Sequence, residues 1–261
     1  MKPAAREPAA LPPGGASVTW LGHATAVAQL GASRVMFDPL LRSRARAAGK
    51  VSAVLITHSH VDHLNRWTLK AIDRDTHLVV PRGAKHIVAD LGFATVSEVS
   101  PGDVLEIAGL EVHAVETRHD QGRWKKSTAI DALGYVVKGD GASVHHAGDV
   151  DFSDHAVFND IGKQFEIDAS LLPIGGMLPV WYYRSRRTAL DRGVHIDPDC
   201  ALDIYERLGA KALVPVHWGT VNLRLGLPSM PMKRLTQLAS VRGVGGVSVL
   251  QHGQQLELAR R

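Results

Sequence analysis

The chain has 261 residues, of which 45% are hydrophobic and 21% charged, and its formal net charge is +4. These values are ordinary for a globular protein with a sizeable core, and no stretch holds the ~18 consecutive apolar residues of a membrane span. The charge suits a small anionic substrate but is weaker than the basic stripe typical of nucleic-acid-binding proteins, so there is no strong nucleic-acid signal.

Residues 1–16 are rich in Ala, Pro and Gly, which predicts a flexible N-terminal tail ahead of a single domain over residues 17–261. The tail carries charges and prolines where a secretory signal needs an apolar run. The sequence has one cysteine, Cys200, so no disulfide forms within the chain. These features predict a cytoplasmic protein and are compatible with a homo-oligomer.

Strands and helices are interspersed through the first half of the chain. Short β-type runs with glycine-containing turns predict an antiparallel meander, and a fully apolar run after it is typical of a buried strand. The predicted strands are Ser17–Leu21, Thr25–Leu30, Arg34–Phe37, Ala53–Ile56, Leu78–Val80, Thr95–Val99, Val104–Ile107 and Leu110–Glu116. The predicted helices are Leu64–Ile72 and Gly83–Leu91.

The second half repeats this style. Its predicted strands are Ile130–Val137, Ser143–Ala147, Ala169–Pro173, Ala212–Val216, Val247–Leu250 and Gln255–Leu258. Its predicted helices are His155–Phe165, Pro198–Leu208 and Met232–Val241. Asp197 and Gly209 are suited to begin and end the middle helix. Two sheets packed face to face with helices on both outer faces satisfy this pattern, which predicts an α+β protein built as a four-layer αββα sandwich.

The strongest functional signal is the segment His58-Ser59-His60-Val61-Asp62-His63, which directly follows a predicted buried strand. Neutral imidazole and carboxylate are the ligands that suit zinc and similar divalent ions. Because alternate side chains of an extended backbone point the same way, His58 and His60 are predicted to face one metal ion. Asp62 and His63, where the chain turns, are predicted to face a second ion.

Three further residues follow predicted strands, where loops carry functional groups. His119 comes after the strand that ends at Glu116, Asp149 after the strand that ends at Ala147, and His217 directly after Val216. Each residue alone is more often a helix cap or a surface residue. Together with the histidine motif, they predict two complete metal sites.

The order of these motifs resembles the metallo-β-lactamase superfamily. An HxHxDH motif followed by a His, a Gly-Asp pair and another His is the metal signature of that family, and all four are present here. Flanking segments such as Trp20–Thr25 and His217–Thr220 are similar to the branch that contains N-acyl-phosphatidylethanolamine phospholipase D and L-ascorbate-6-phosphate lactonase. The resemblance covers Val18 to Thr220 and implies the metallo-β-lactamase fold.

The resemblance also implies a cofactor, which is a pair of divalent metal ions. Zinc is the favoured ion, and manganese and iron accept the same ligand set. The implied ligands are His58, His60 and His119 for one ion, Asp62, His63 and His217 for the other, and Asp149 for both. A water or hydroxide between the ions is the implied nucleophile, and Asp62 has a catalytic role in orienting it.

Other residues acquire roles by the same resemblance. Asp38 resembles a carboxylate that orients a ligand histidine, and His23 is similar to a residue near the cleft in relatives. His195 matches a histidine of the phospholipase branch and is predicted to be catalytic, by donating to an oxyanion or protonating a leaving group.

The stretch Gly175–Val194 is longer than the resemblance leads one to expect. It contains Trp181, Arg184, Arg186 and Arg187. If this stretch folds over the cleft, it offers an aromatic wall and guanidinium groups that bind phosphate or carboxylate. If it does not, it is a solvated surface loop.

The leading functional hypothesis is a metal-dependent hydrolase that cleaves an ester, lactone or phosphodiester bond of a small anionic substrate. Asp149 at the bridging position argues against a true β-lactamase, which typically has Cys or His there. One alternative is a phosphodiesterase acting on lipid head groups or RNA. Another is a non-catalytic metal-binding protein that inherited the fold, although the full ligand set favours an enzyme.

Overall fold

Two β-sheets face each other across an apolar interior in the computed structural model, which describes residues 15–119, 130–151, 155–176, 195–220, 228–259 and 261. Helices cover the outer surface of each sheet. The predicted αββα sandwich is therefore confirmed. No helix among the described residues has the length and hydropathy needed to cross a membrane.

The first sheet has seven strands in the order β13-β1-β2-β3-β4-β5-β6. These are β1 (Ala16–Gly22), β2 (Thr25–Leu30), β3 (Ser33–Phe37), β4 (Ala53–Leu55), β5 (His77–Pro81), β6 (Val96–Val99) and β13 (Gln255–Leu258). The strands β1, β2 and β3 form the predicted antiparallel meander. The strands β3 to β6 are parallel to one another, so β1, β3 and β4 all end at the same edge of the sheet.

The second sheet has six strands in the order β12-β11-β10-β9-β8-β7. These are β7 (Val104–Ile107), β8 (Leu110–Glu116), β9 (Leu133–Gly139), β10 (Ala142–His146), β11 (Ala169–Pro173) and β12 (Ala212–Val216). The strands β10, β11 and β12 are parallel, and β8 runs in the same direction because both β8 and β10 are antiparallel to β9. Their carboxyl ends therefore meet at one edge.

Side-chain alternation along the strands divides the core into layers. On β4 and just beyond it, Ala53 and Leu55 face the other sheet, whereas Val54 and Ile56 face the outer helices. This is the period of two that extended backbone imposes, and a strand buried on both faces reads as a continuous apolar run. The sheet interior thus forms a packed support for the loops at its edge.

The helices on the outer faces are α1 (Arg42–Ala47), α2 (Arg66–Leu69), α3 (Lys85–Val88), α4 (Ala156–Gln164), α5 (Pro198–Leu208) and α6 (Met230–Arg242). A 3₁₀ turn over Ala89–Leu91 extends α3. The ends of α5 are as predicted, because the Asp197 carboxylate accepts a hydrogen bond from the Cys200 N–H and Gly209 ends the helix at φ +60°.

Several sequence predictions of elements are corrected. The predicted helix Leu64–Ile72 is only the four residues of α2, because a turn precedes it and Asn65 caps it by accepting from the Thr68 N–H. In the predicted helix Gly83–Leu91, Gly83 is at φ +88° and its N–H donates to the Glu98 carboxylate, so α3 begins later.

Two further differences concern a predicted strand and a missed helix. Val247–Leu250 is not a strand, because it forms one isolated bridge, from Val247 to Leu213 of β12. Helix α1 was not predicted from the sequence, since its Arg- and Ala-rich residues have no apolar periodicity and only Ala45 is buried.

His145 on β10 is a buried histidine outside the predicted site. Its Nδ1 lies 2.8 Å from Ser170 Oγ, and its ring lies against Phe158 on the outer face of the second sheet. Its Nε2 has no hydrogen-bond partner among the described residues. Burial lowers the pKa of His145 to about 3, so this side chain is neutral in the folded protein near neutral pH.

We expect His145 to make the folded protein sensitive to acid. The unfolded chain takes up a proton here near pH 6.5, whereas the folded chain takes it up only near pH 3. The free energy of unfolding is therefore not reduced by His145 above pH 6.5, and it falls progressively as the pH decreases from 6.5 towards 3. His145→Asn keeps a polar partner for Ser170. Its free energy of unfolding should fall less steeply with decreasing pH, with a slope that is smaller than that of the unsubstituted protein by about 1.4 kcal/mol per pH unit.

Urea unfolding between pH 4 and 7, with a chelator present, measures this slope. His86→Asn, at an exposed position on α3, provides the control. A slope for His145→Asn equal to that of the unsubstituted protein would contradict the expectation.

Candidate metal centre

The histidine motif lies in the loop that leaves the carboxyl end of β4. The N–H groups of His63 and Leu64 both donate to the His60 carbonyl, so the loop closes into a turn at its end. The residues that follow β1, β8, β10 and β12 meet the loop at this edge of the sheets.

The first cluster consists of His58, His60, His119 and Asp149, whose potential ligand atoms all lie within 4.8 Å of one another. His58 Nε2 lies 2.9 Å from His60 Nδ1, and His119 Nε2 lies 3.3 Å from the same atom. Three of these residues are the ligands implied for one ion, and the fourth is the implied bridge.

The second cluster consists of His23, Asp62, His63 and His217, again within 4.8 Å. Asp62 Oδ2 is its centre, at 3.8 Å from His63 Nε2, 3.7 Å from His217 Nε2 and 2.9 Å from His23 Nε2. The structure thus brings together the three residues implied for the second ion. It adds His23, which sequence analysis had placed only near the cleft.

Asp149 lies between the two clusters. Its Oδ2 is 3.3 Å from His63 Nε2 and 3.9 Å from His58 Nε2, and its Oδ1 is 3.3 Å from His217 Nε2. The side chain is only 1% exposed, yet neither oxygen accepts a hydrogen bond from the described residues. His63 Nε2 and His217 Nε2 are likewise buried without a hydrogen-bond partner there.

Buried polar atoms without partners are costly, so such a group needs an explanation. Here the unpartnered atoms are imidazole nitrogens and carboxylate oxygens that converge on common points. Nitrogen and oxygen atoms of this kind are the donors that divalent zinc, manganese or iron accepts. The residues present therefore fit the metal ions that the sequence implied.

Two carboxylates, Asp62 of the second cluster and Asp149 of the first, set the charge of His217. Burial acts to lower the pKa of His217, but the neighbouring Asp149 and Asp62 outweigh it and raise that pKa to about 9. Burial also opposes the charge of Asp149, but His217 and His63 hold its pKa well below the usual range. The buried carboxylate is therefore ionised, and positive charge beside it is favourable.

Two carboxylates outside the clusters orient histidines of the clusters. Asp38, which follows β3, accepts a hydrogen bond from His63 Nδ1 through Oδ2 at 2.8 Å. It also accepts from the Thr57 N–H at 2.8 Å and the Thr57 hydroxyl at 2.7 Å. Asp151 Oδ1 lies 2.9 Å from His119 Nδ1 in the same manner. Such contacts fix the ring and leave Nε2 for a ligand.

Asp151 was not predicted from the sequence. The available signal was its place two residues after Asp149, since alternate residues of extended backbone share a side. His145 and His146 on β10 precede Asp149 closely in the sequence, yet neither belongs to the clusters. His146 Nε2 lies 2.9 Å from the Ala24 carbonyl, and its Nδ1 accepts from the Gly148 N–H.

His195 forms a third group of potential ligands with Asp149 and His217, whose ligand atoms lie within 4.8 Å of one another, and it is 5% exposed. Its Nδ1 is 3.3 Å from Asp149 Oδ2, and its ring centre is 5.0 Å from that of His217 and 5.4 Å from that of His119. The predicted substrate-binding residues Trp181, Arg184, Arg186 and Arg187 fall outside the described residues.

This fold and this donor set define a class, the metal-dependent hydrolases of the metallo-β-lactamase superfamily. The chain matches the family described as the Beta-lactamase superfamily domain over residues 24–218, and it belongs to that family.

Relatives carry names that agree with this class. The chain is 30% identical over 208 residues to a UPF0173 metal-dependent hydrolase of Methanoregula boonei, which covers 78% of this chain and 82% of that protein. It is 28% identical over 206 residues to a UPF0173 protein of Pyrococcus furiosus, with 78% and 84% coverage. Igni18, a metallo hydrolase from Ignicoccus hospitalis, shares the fold at a TM-score of 0.72 and 20% identity, over 94% of this chain and 99% of that one.

We expect Asp38→Asn to weaken metal binding. The amide cannot accept from both His63 and Thr57 as the carboxylate does, and loss of such an orienting partner typically lowers metal affinity about 10- to 100-fold. Asn tolerates the positive φ of +42° at this position, so the substitution adds no backbone strain. Competition for Zn²⁺ with a chromophoric chelator measures the affinity.

The exposed side chain of Asp73 offers a matched control, since Asp73→Asn removes the same charge away from the clusters. Equal zinc affinity in Asp38→Asn and Asp73→Asn would show that Asp38 does not orient a ligand.

Proposed function

We propose that the chain is a dinuclear metal-dependent hydrolase. His58, His60 and His119 hold one ion in this proposal. Asp62, His63 and His217 hold the other, and Asp149 bridges them. The observation that carries the proposal is the Asp149 carboxylate, which is buried between both clusters, lies 3.3 Å from His63 and His217 nitrogens and accepts no hydrogen bond from the described residues.

A pair of divalent cations, most simply zinc, would supply Lewis acidity that makes water a nucleophile near neutral pH and neutralises charge that develops on the substrate. The protein's own residues then orient the reactants. Asp62 is the most exposed member of its cluster, with 28% of its side chain accessible, and it is placed to accept a hydrogen bond from the attacking water. Asp38 and Asp151 hold the histidine rings.

His195 is the proposed proton donor. It is buried and borders both clusters, since its ring lies within 5.4 Å of His119 and His217. An imidazole in this position can donate to an oxyanion or protonate a leaving group, which typically accelerates a reaction about 10²- to 10⁴-fold.

The proposed substrate is a small anionic molecule with an ester, lactone or phosphodiester bond. The net charge of +4 and the resemblance of segments such as Trp20–Thr25 to the phospholipase D and lactonase branch support it. Turnover of bis-p-nitrophenyl phosphate, a p-nitrophenyl ester and a small lactone by the zinc-loaded protein tests which bond is cleaved. Absence of turnover across this panel would reject the proposed substrate class.

We expect Asp149→Ala to lose bound metal and hydrolytic activity together. The substitution removes the carboxylate that both clusters share, so neither ion keeps its full ligand set. Elemental analysis should find about two ions per chain in the unsubstituted protein and far fewer in the variant. Asp160→Ala, which removes an exposed carboxylate on α4, is the control and should change neither quantity. Full activity with both ions bound to Asp149→Ala would reject the bridging role.

His195→Ala should behave differently. We expect turnover to fall about 10²- to 10⁴-fold while the metal content stays the same, because this histidine is proposed to move a proton and not to bind an ion. The exposed His86 serves again as the control through His86→Ala. If His195→Ala lost metal instead, His195 would have to be counted among the ligands.

A further inference from the structure

His23 occupies the turn between β1 and β2 in a conformation that histidine rarely adopts. Its φ is +54°, in the left-handed region, and it is 1% exposed. Backbone strain of this kind persists only where the surroundings hold it. The contacts that hold His23 therefore show what its conformation is for.

The backbone of His23 is joined to the loop that follows β12. The His23 carbonyl accepts from the His217 N–H at 2.9 Å and from the Trp20 indole N–H at 2.8 Å. The His23 N–H donates to Thr220 Oγ1 at 2.8 Å. These hydrogen bonds fix the position of His217 relative to the β1–β2 turn.

The side chain of His23 is joined to the histidine motif. Its Nε2 lies 2.9 Å from Asp62 Oδ2, and because an ionised carboxylate only accepts, the imidazole N–H donates. The ring packs against the ring of His217 with 4.0 Å between centres. The other ring nitrogen, Nδ1, is buried without a hydrogen-bond partner among the described residues. Among these residues, the His23 ring therefore hydrogen-bonds only to Asp62.

Asp62 and His217 come from opposite halves of the chain, and His23 contacts both. Its side chain holds one and its backbone holds the other. The histidines of the first cluster have a separate support, since Asp151 holds His119 and Thr57 Oγ1 lies 3.0 Å from His58 Nδ1. Support of the second cluster thus depends on His23 in a way that support of the first does not.

We propose that His23 is a positioning residue that sets the geometry of the second metal site by holding Asp62 and His217 in register with each other. This inference rests on the proposed function, in which these two residues bind one ion. His23 acts through Asp62 and His217 and is not itself a ligand.

Glycine is the informative substitution at this position. His23→Gly removes the side chain and also relieves the positive φ, so the variant should fold without added strain. Ala108→Gly is the matched control, because Ala108 is an exposed residue at φ +53° remote from both clusters. His23→Gln keeps a side-chain N–H of similar reach and tests whether the donated hydrogen bond is what matters.

Titration of each protein with Zn²⁺ against a chromophoric chelator gives two affinities. In His23→Gly we expect one of the two affinities to fall about 10- to 100-fold while the other is unaffected. His23→Gln should recover most of that loss, and Ala108→Gly should match the unsubstituted protein. Unchanged affinities in His23→Gly, an equal loss at both sites, or failure of Gln to rescue would each overturn the proposal.

Crystal structures of the metal-free proteins separate this inference from the proposed function. We expect the Asp62 carboxylate in His23→Gly to leave its position 3.7 Å from His217 Nε2 and to keep it in His23→Gln. An unmoved Asp62 in His23→Gly overturns the positioning role. If the unsubstituted protein binds no zinc, the proposed function fails, while the metal-free structures still decide what His23 does.

Discussion

The constraint on which the site depends is the burial of the Asp149 carboxylate between two groups of imidazoles. An ionised carboxylate removed from water is unfavourable unless charge or hydrogen bonds compensate it. Here compensation comes from His63 and His217 at 3.3 Å, and those contacts are not hydrogen bonds. Asp149 stabilises positive charge on these histidines, and the histidines stabilise the ionised form of Asp149. A cation between these atoms would satisfy all of them at once, which is why the metal-dependent class follows from the chemistry of the donors.

Strained backbone conformations occur at the same edge of the sheets as the clusters. Three of the non-glycine residues with positive φ are His23, Asp38 and His217, and each either belongs to a cluster or holds a member of one. Glycine is required where the chain comes closest. A Cβ at Gly175 would lie 2.0 Å from the His217 carbonyl, and one at Gly148 would lie 2.9 Å from Thr57 Cβ. Strain and close packing together fix the orientation of the side chains in the clusters.

Sequence patterns were sufficient for the parts of the molecule that depend on local chemistry. The strands β7, β8, β11 and β12 begin and end at the predicted residues, and the histidine motif, His119, Asp149 and His217 were selected because strand ends carry functional groups. Asp151 and the contacts of His23 depend on which loops meet after the sheets pack, and no local pattern encodes that. Helix α2 was predicted too long for a local reason, since the turn closed on the His60 carbonyl and the Asn65 cap delay its start.

The position of the site also explains why the class of the protein can be inferred from the fold while its substrate cannot. The ligands are attached to the ends of strands whose interiors are packed between the sheets, with residues such as Leu55, Val144 and Val216 fully buried. Movement of the ligands would therefore require movement of the core, which close packing resists. In the proposed function, substrate contacts would come from loops at the same edge, which can change in length without disturbing the core. On this proposal the packed strands would hold the metal-binding residues in place while the loops set which substrate reaches them, so substrate preference should vary among relatives that keep the same proposed ligands.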